Sequence, residues 1–188
     1  VSIEFEGLSE PQIVQENSPV GESQANGRVE NGVLRVQGQI RAFRLDIEDR
    51  INTKLEPNHP IWPWLIEYSA QSLHQFQATR DDGLTPAQRI RGRAAMSPRA
   101  HFGEKVFYKP SKTVAINKNE ARWYYGIYLG TIEHTSEHII GTMAGVVKCR
   151  AIAPLPEDKQ YDVEFLEKMR GTPWKPSPSH NGWRIRTN

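Results

Sequence analysis

The sequence predicts an α+β fold, with a helical first half followed by a small antiparallel β-structure. Apolar residues recur every three or four positions between residues 29 and 47, and again between residues 62 and 76. After Pro98 the spacing changes to an alternation of apolar and polar residues, interrupted by glycines. These two periodicities are typical of amphipathic helices and of strands, and their order along the chain separates the two halves.

The first predicted helix begins near residue 29 and runs for roughly six turns. Its apolar residues form one stripe on the helix: Val29, Val33, Val36, Ile40, Phe43 and Ile47. Gly32 and Gly38 each destabilise a helix by about 1 kcal/mol relative to alanine, but the stripe is regular enough to predict the helix. The preceding residues 6–28 are polar and rich in glycine, which predicts a loop.

A second helix is predicted after the proline break at residues 57–60 and runs to about Thr79. Pro63 fits its first turn, where the missing N–H would have no helical partner. Its predicted buried face consists of Trp62, Leu65, Ile66, Ser69, Leu73 and Phe76.

A short third helix is predicted with Thr85 as N-cap, Pro86 at its first position and an end near Gly92. The alternating segments that predict strands are 104–108, 123–132 and 138–152. Beyond residue 155 a short amphipathic helix is predicted around Val163, Leu166 and Met169. We expect the proline-rich tail 172–188 to be mobile unless Trp174 or Trp183 docks on the rest of the chain.

Charge is unevenly distributed along the chain, although the net charge is only +2. Residues 1–30 contain six acidic residues and one basic residue, whereas residues 89–122 contain nine basic residues and two acidic ones. A basic block of this kind favours a polyanionic partner, nucleic acid first, over the alternative of an ordinary solvated surface. The sequence contains no apolar run long enough for a membrane span and no signal-peptide pattern. Cys149 is the single cysteine, so an intramolecular disulfide is excluded.

Several segments in a fixed order carry a family resemblance. The loop Ser18-Pro19-Val20-Gly21-Glu22-Ser23-Gln24-Ala25-Asn26-Gly27-Arg28-Val29-Glu30 opens into the first helix. Three further segments follow this loop along the chain. They are Gly83-Leu84-Thr85-Pro86-Ala87-Gln88-Arg89-Ile90-Arg91-Gly92, Phe102-Gly103-Glu104-Lys105-Val106 and Trp123-Tyr124-Tyr125-Gly126-Ile127-Tyr128-Leu129-Gly130. Over about residues 15–155 this arrangement resembles the DDE-type integrases of LTR retrotransposons.

The resemblance implies a domain organisation. Residues 1–97 would be the C-terminal helices of a ribonuclease-H-like integrase core, residues 98–155 a small SH3-like antiparallel β-domain, and residues 156–188 a helix and a proline-rich tail. The intact parent would integrate element DNA by strand transfer.

The resemblance also implies a metal site in that parent. Three carboxylates would hold two Mg²⁺ ions, and Glu30 would be the catalytic and metal-binding third acid. The alternative is a helix-start glutamate stabilised by the macrodipole. None of the five acidic residues before Glu30 lies far enough upstream to be the second acid. We therefore expect a fragment that lacks two of the three acids and is inactive by itself, although it derives from a polynucleotidyl transferase.

DNA contacts are implied along the first helix and along the first strand with its loop. The DNA-binding candidates are Asn26, Arg28, Gln37, Arg41, Arg44, Lys105, Lys109, Lys112 and Lys118. For the helix arginines a solvated helix face is the alternative.

Two other functions remain open from the sequence. A domesticated integrase fragment could act as a non-catalytic structural subunit of a larger assembly, bound to other protein chains through exposed apolar helix faces. A stand-alone small β-domain that binds RNA or peptides is the third possibility. An active element would place the protein in the nucleus or the cytoplasm.

Overall fold

A computed structural model describes residues 27–111 and 121–178. These residues form four α-helices, which are α1 (Gly27–Ile51), α2 (Ile61–Phe76), α3 (Pro86–Arg91) and α4 (Val163–Glu167). They also form five strands, which are β1 (Lys105–Lys109), β2 (Tyr124–Thr131), β3 (His138–Thr142), β4 (Gly145–Cys149) and β5 (Ala151–Pro154). The predicted α+β class is confirmed. No helix in the two described ranges is long and apolar enough to cross a membrane.

The chain divides into two units between Arg35 and Val36. Of the first unit, the described residues are the helical residues 27–35. Three apolar side chains of this stretch are largely exposed, with exposed fractions of 68% for Val29, 50% for Val33 and 62% for Leu34.

The second unit is built on one open antiparallel sheet with the strand order β4-β3-β2-β1-β5. The first four strands are neighbours in chain order, and β5 returns to pair with β1, where Phe107 lies opposite Ala153. The β2–β3 register shifts between Tyr128 and Gly130. Gly130 has a φ of +133°, and a Cβ there would lie 3.2 Å from the ring of Tyr68, so glycine suits both the bulge and the close approach of α2.

One face of the sheet carries the main hydrophobic core. Ile127 and Ile139 of the sheet pack with Ile47 of α1, Trp64 of α2 and Leu166 of α4, and all five are buried. Removing this apolar surface from water stabilises the unit by about 25 cal/mol per Å². The core therefore draws residues from both sides of the predicted boundaries at residues 97 and 155.

The predicted helix stripe is partly covered by this core. Ile40 and Phe43 are half-buried against the core and Ile47 is fully buried. On α2, Leu65 is fully buried, whereas Phe76 is 42% exposed. The central part of the predicted apolar faces is thus buried against residues of the same unit.

The opposite face of the sheet has a smaller core formed by Ala100, Val106, Tyr128, Ile140 and Cys149. Burial raises the pKa of the Cys149 thiol to about 11, so the side chain is an uncharged thiol at neutral pH. The sheet is thus buried on both faces near its centre.

The described part of the C-terminal tail is hydrogen-bonded to the rest of the chain, whereas the sequence predicted a mobile tail unless a tryptophan docks. The buried Trp64 donates from Nε1 to the carbonyl of Gly171 (2.9 Å), and the amide of Val146 donates to the carbonyl of Pro176 (2.7 Å). Trp174, one of the two tryptophans whose docking would hold the tail, is 65% exposed. Backbone hydrogen bonds hold the segment as far as Pro176, and Trp183 lies outside the described residues.

His59 links the start of α2 to the end of α4. The amide of Ile61 donates to its Nδ1 (3.1 Å), so the proton is on Nε2, which donates to the carbonyl of Leu166 (2.9 Å). Burial lowers the pKa of the His59 imidazole below its usual range, and the neutral ring is the form that makes both hydrogen bonds.

We predict that His59 makes folding sensitive to mild acid. A histidine with a lowered pKa contributes its full stability above the unfolded-state pKa of about 6.5, and this stability is lost as the pH falls below that value towards the folded-state pKa. His59→Asn, which cannot titrate, should show a shallower fall in unfolding free energy between pH 7.5 and 5.5 than the wild type, measured by urea denaturation. Equal slopes for the two proteins would contradict the prediction.

Candidate nucleic-acid interface

A groove of about 590 Å³ lies in the second unit between α2, α3, the segment 92–99 and the strands β2 and β3. The segment 92–99 is irregular and mostly exposed, and it forms one wall of the groove. The opposite wall comes from the C-terminal half of α2. The groove therefore depends on how α2 and α3 are placed against the sheet.

The position of α3 is fixed at both ends. Thr85 and Gln88 form a capping box, in which the Gln88 amide donates to the Thr85 hydroxyl (3.2 Å) and the Thr85 amide donates to Gln88 Oε1 (2.8 Å). Gly92 ends the helix with a φ of +69°, a conformation that glycine adopts without strain. The predicted N-cap and helix end are confirmed, and they set the point from which the segment 92–99 departs.

The turn before α3 is tied by a charged side chain. Arg89 donates to both carboxylate oxygens of Asp82, at 2.8 and 3.1 Å, and to the hydroxyl of Thr79 at 2.6 Å. Hydrogen bonds from Arg89 hold the pKa of the Asp82 carboxyl well below its usual range. The Arg89 guanidinium therefore stabilises the turn through these hydrogen bonds, and we do not count it among the groups that could bind a ligand.

Arginines dominate the charge of the groove. Four arginines and one glutamate line it, namely Arg91, Arg93, Arg99, Arg150 and Glu133. Arg91 Nη1 lies 3.1 Å from Glu133 Oε1, so this pair is neutralised.

Among the residues that the structure describes, three arginines of the groove have no close acidic partner that would neutralise their charge. Within the described ranges Arg93 and Arg99 form no ion pair. Arg150 has only a long contact of 3.8 Å to Glu137, and its side chain is 83% exposed. The groove consequently has an excess of positive charge at its rim.

The floor of the groove is a short hydrogen-bonded chain of side chains. The hydroxyl of Thr131 lies 2.8 Å from the hydroxyl of Tyr128 and 3.1 Å from Nδ1 of His138. Burial lowers the pKa of the His138 imidazole, and the charge of Arg99 lowers it further. The floor is thus polar and uncharged at neutral pH, while the charge lies on the surrounding arginines.

Glu30 lies in the first turn of α1 and is exposed. In the part of the chain that the structure describes, no group of three or more histidine, cysteine, aspartate or glutamate side chains could hold a metal ion. The described residues therefore do not assemble a site for the Mg²⁺ ions that the resemblance implies.

The predicted DNA-binding residues of α1 are not all free. Gln37 and Arg41 are exposed on the helix. Arg44 donates to Glu48 at 3.0 Å, and its guanidinium lies 5.6 Å from the ring centre of Trp62. Asn26 and the side chain of Arg28 lie outside the described residues.

The predicted lysines are also divided between different environments. Lys105 forms an ion pair with Asp162, and its ammonium lies 4.9 Å from the ring centre of Tyr125 and 5.1 Å from that of Phe165. Lys109 is exposed. Lys112 and Lys118 lie outside the described residues. The structure does not bring Lys105 and Lys109 to the arginine groove.

The sequence does not single out the groove residues. Arg93 and Arg99 belong to the basic block of residues 89–122, and no local feature distinguishes them from its other members. Arg150 and His138 lie far from this block along the chain and reach the groove through sheet pairing. The cluster of arginines before Pro98 was the available signal, and only the fold reveals which of them remain unpaired.

Comparisons with known proteins give no relative for this chain, since no protein-family model matches it and no curated protein or solved structure is significantly similar to it.

We predict that Lys105 stabilises the fold rather than a nucleic-acid complex. It connects β1 to Asp162, whose other carboxylate oxygen caps α4 by accepting from the Phe165 amide (2.9 Å). Lys105→Met should lower the unfolding free energy by about 1 kcal/mol, because the ion pair and the aromatic contacts are both lost. Lys109→Met is the matched control and should change stability by less than about 0.5 kcal/mol. Equal stabilities of the two variants in urea denaturation would show that Lys105 is not a structural link.

Proposed function

We propose that the protein is a DNA-binding fragment of a retroelement integrase and that the arginine groove is its DNA contact. The observation that carries the proposal is the concentration of unpaired guanidinium groups around one concave surface. Guanidinium groups bind phosphate oxygens through paired, charge-assisted hydrogen bonds. Contacts of this kind position a nucleic acid without reading its sequence.

The integrase assignment rests on sequence resemblance together with a compatible order of elements. Two longer helices, a short capped helix and a five-stranded antiparallel sheet follow one another in the expected order. The ribonuclease-H-like and SH3-like descriptions belong to this proposal. The return of β5 to β1 supports a small β-domain that curls on itself.

Catalysis is proposed only for the intact parent. There, Glu30 would supply one of the carboxylates that hold Mg²⁺. Because the described residues gather no metal-binding group around it, we propose no reaction for this chain.

A structural role in a larger assembly is the second candidate. Val29, Val33 and Leu34 are exposed on α1, and exposed apolar side chains on a helix are typical of a protein contact. In this candidate the helix would bind another protein, and the arginine groove would be incidental.

We predict DNA binding with a steep salt dependence that originates in the groove. Replacing Arg93, Arg99 and Arg150 by alanine should weaken binding and reduce the slope of log affinity against log salt by about 0.9 for each lost contact with duplex DNA. Fluorescence anisotropy with a labelled oligonucleotide between 50 and 200 mM salt measures both quantities.

The matched control removes the same charge elsewhere. Arg80, Arg170 and Lys175 are exposed and do not line the groove. Alanine at these three positions should leave most of the affinity and the slope intact. Equal losses in the two triple variants would show that net charge alone binds DNA, and absence of binding by the wild type would overturn the proposal.

A further inference from the structure

We propose that the groove binds unpaired nucleotides of a single-stranded DNA segment in preference to a duplex. This inference rests on the proposed function, because it specifies which form of DNA the same groove takes. It depends on the size of the groove, the side chains of its walls and the location of its charges.

The size of the groove suits one or two nucleotides. Its volume of about 590 Å³ falls within the range of roughly 300–1,000 Å³ that is typical of sites for small organic ligands. Duplex DNA is read by protein elements that protrude into its grooves, such as a helix or a strand pair. This site is concave, so a base that is already unpaired can enter it, whereas a paired base would first have to leave the helix.

The walls offer apolar surface beside the charge. Phe76, at the end of α2, is 42% exposed, and Met96, in the segment 92–99, is 78% exposed, and both line the groove. Aromatic rings stack on bases of any sequence, and this contact is available only to an unpaired base. The apolar groups therefore favour the single-stranded form specifically.

The arginines are placed to hold the connecting phosphates. Arg93 and Arg99 flank Met96 along the segment 92–99 and all three residues line the groove, so charged and apolar residues alternate along this wall. A single strand presents alternating bases and phosphates along its length, which matches this alternation of charge and apolar surface.

Polar side chains in the groove can form hydrogen bonds with the edge of a base. Gln75 and Ser72 are half-buried lining residues, and in the described part of the chain neither side chain forms a hydrogen bond to the protein. Gln71 is different, because its amide donates to the carbonyl of Thr131 (2.8 Å) and is therefore occupied. An amide and a hydroxyl each both donate and accept, so they can pair with the exposed edge of any unpaired base.

The test compares three DNA probes of the same sequence in fluorescence anisotropy with the full chain. These probes are a 12-nucleotide single strand, a blunt duplex and a duplex with a four-nucleotide overhang. We expect the single strand and the overhang to bind about five-fold or more tightly than the blunt duplex. Phe76→Ala should reduce single-strand affinity by about five-fold or more, and it should leave duplex affinity unchanged.

Two further variants keep the test decisive. Trp174→Ala removes an exposed aromatic ring that does not line the groove and should change no affinity. Met96→Ala, in an irregular exposed segment where folding is not at risk, should repeat the selective loss if Phe76→Ala unfolds the protein.

The outcomes separate this inference from the proposed function. Equal binding of all three probes, with no selective effect of Phe76→Ala or Met96→Ala but with a loss in the arginine variant, would overturn the inference and leave DNA binding by the groove in place. Absence of binding to every probe would overturn both.

Discussion

The packing of α2 against the sheet is the constraint on which the rest of the second unit depends. Ile61, Trp64 and Leu65 are fully buried at the N-terminal half of this helix, and Trp64 also donates to the carbonyl of Gly171. This one helix therefore holds the sheet and the C-terminal segment together. Because its buried residues are confined to its first half and Ser69, its C-terminal half extends beside the bulge in β2 and becomes a wall of the groove.

The bulge and the groove are linked through the same helix. The glycine at position 130 lets Tyr68 approach the backbone of β2, and Gln71 then donates to the carbonyl of Thr131. The hydroxyl of Thr131 in turn contacts Tyr128 and His138. The bulge in β2 thus positions the polar side chains that form the floor of the groove. The end of α3 at Gly92 sets where the arginines of the segment 92–99 begin.

Charge pairing explains why a basic segment does not become a uniformly basic surface. Arg89 forms an ion pair with Asp82, Arg91 forms one with Glu133, and Lys105 forms one with Asp162. Each of these pairs joins two parts of the chain, so these cations serve the fold. In the groove, Arg93 and Arg99 form no ion pair within the described ranges and are available to a polyanion, and Arg150 adds a third charge from the end of the sheet.

The sequence predicted the elements more successfully than the site. The apolar period of α1, the Thr85–Pro86 start of α3 and the alternation in β1 are local signals, and all three elements form where they were expected. The site depends on residues that are distant along the chain and line the same groove in the fold, such as Arg99 and His138, and no local pattern encodes this proximity. The docking of the C-terminal segment through the carbonyls of Gly171 and Pro176 was missed for a related reason, since backbone acceptors are present at every position and leave no signature in the sequence.

The most direct measurement of the central claim is an NMR titration of the isotope-labelled full chain with a single-stranded oligonucleotide. If the groove is the nucleic-acid interface, the largest chemical-shift changes will occur in the segment 92–99 and at Thr131, His138 and Arg150. Changes confined to residues 37–44 of α1 or to Lys109, with the groove unaffected, would contradict the account.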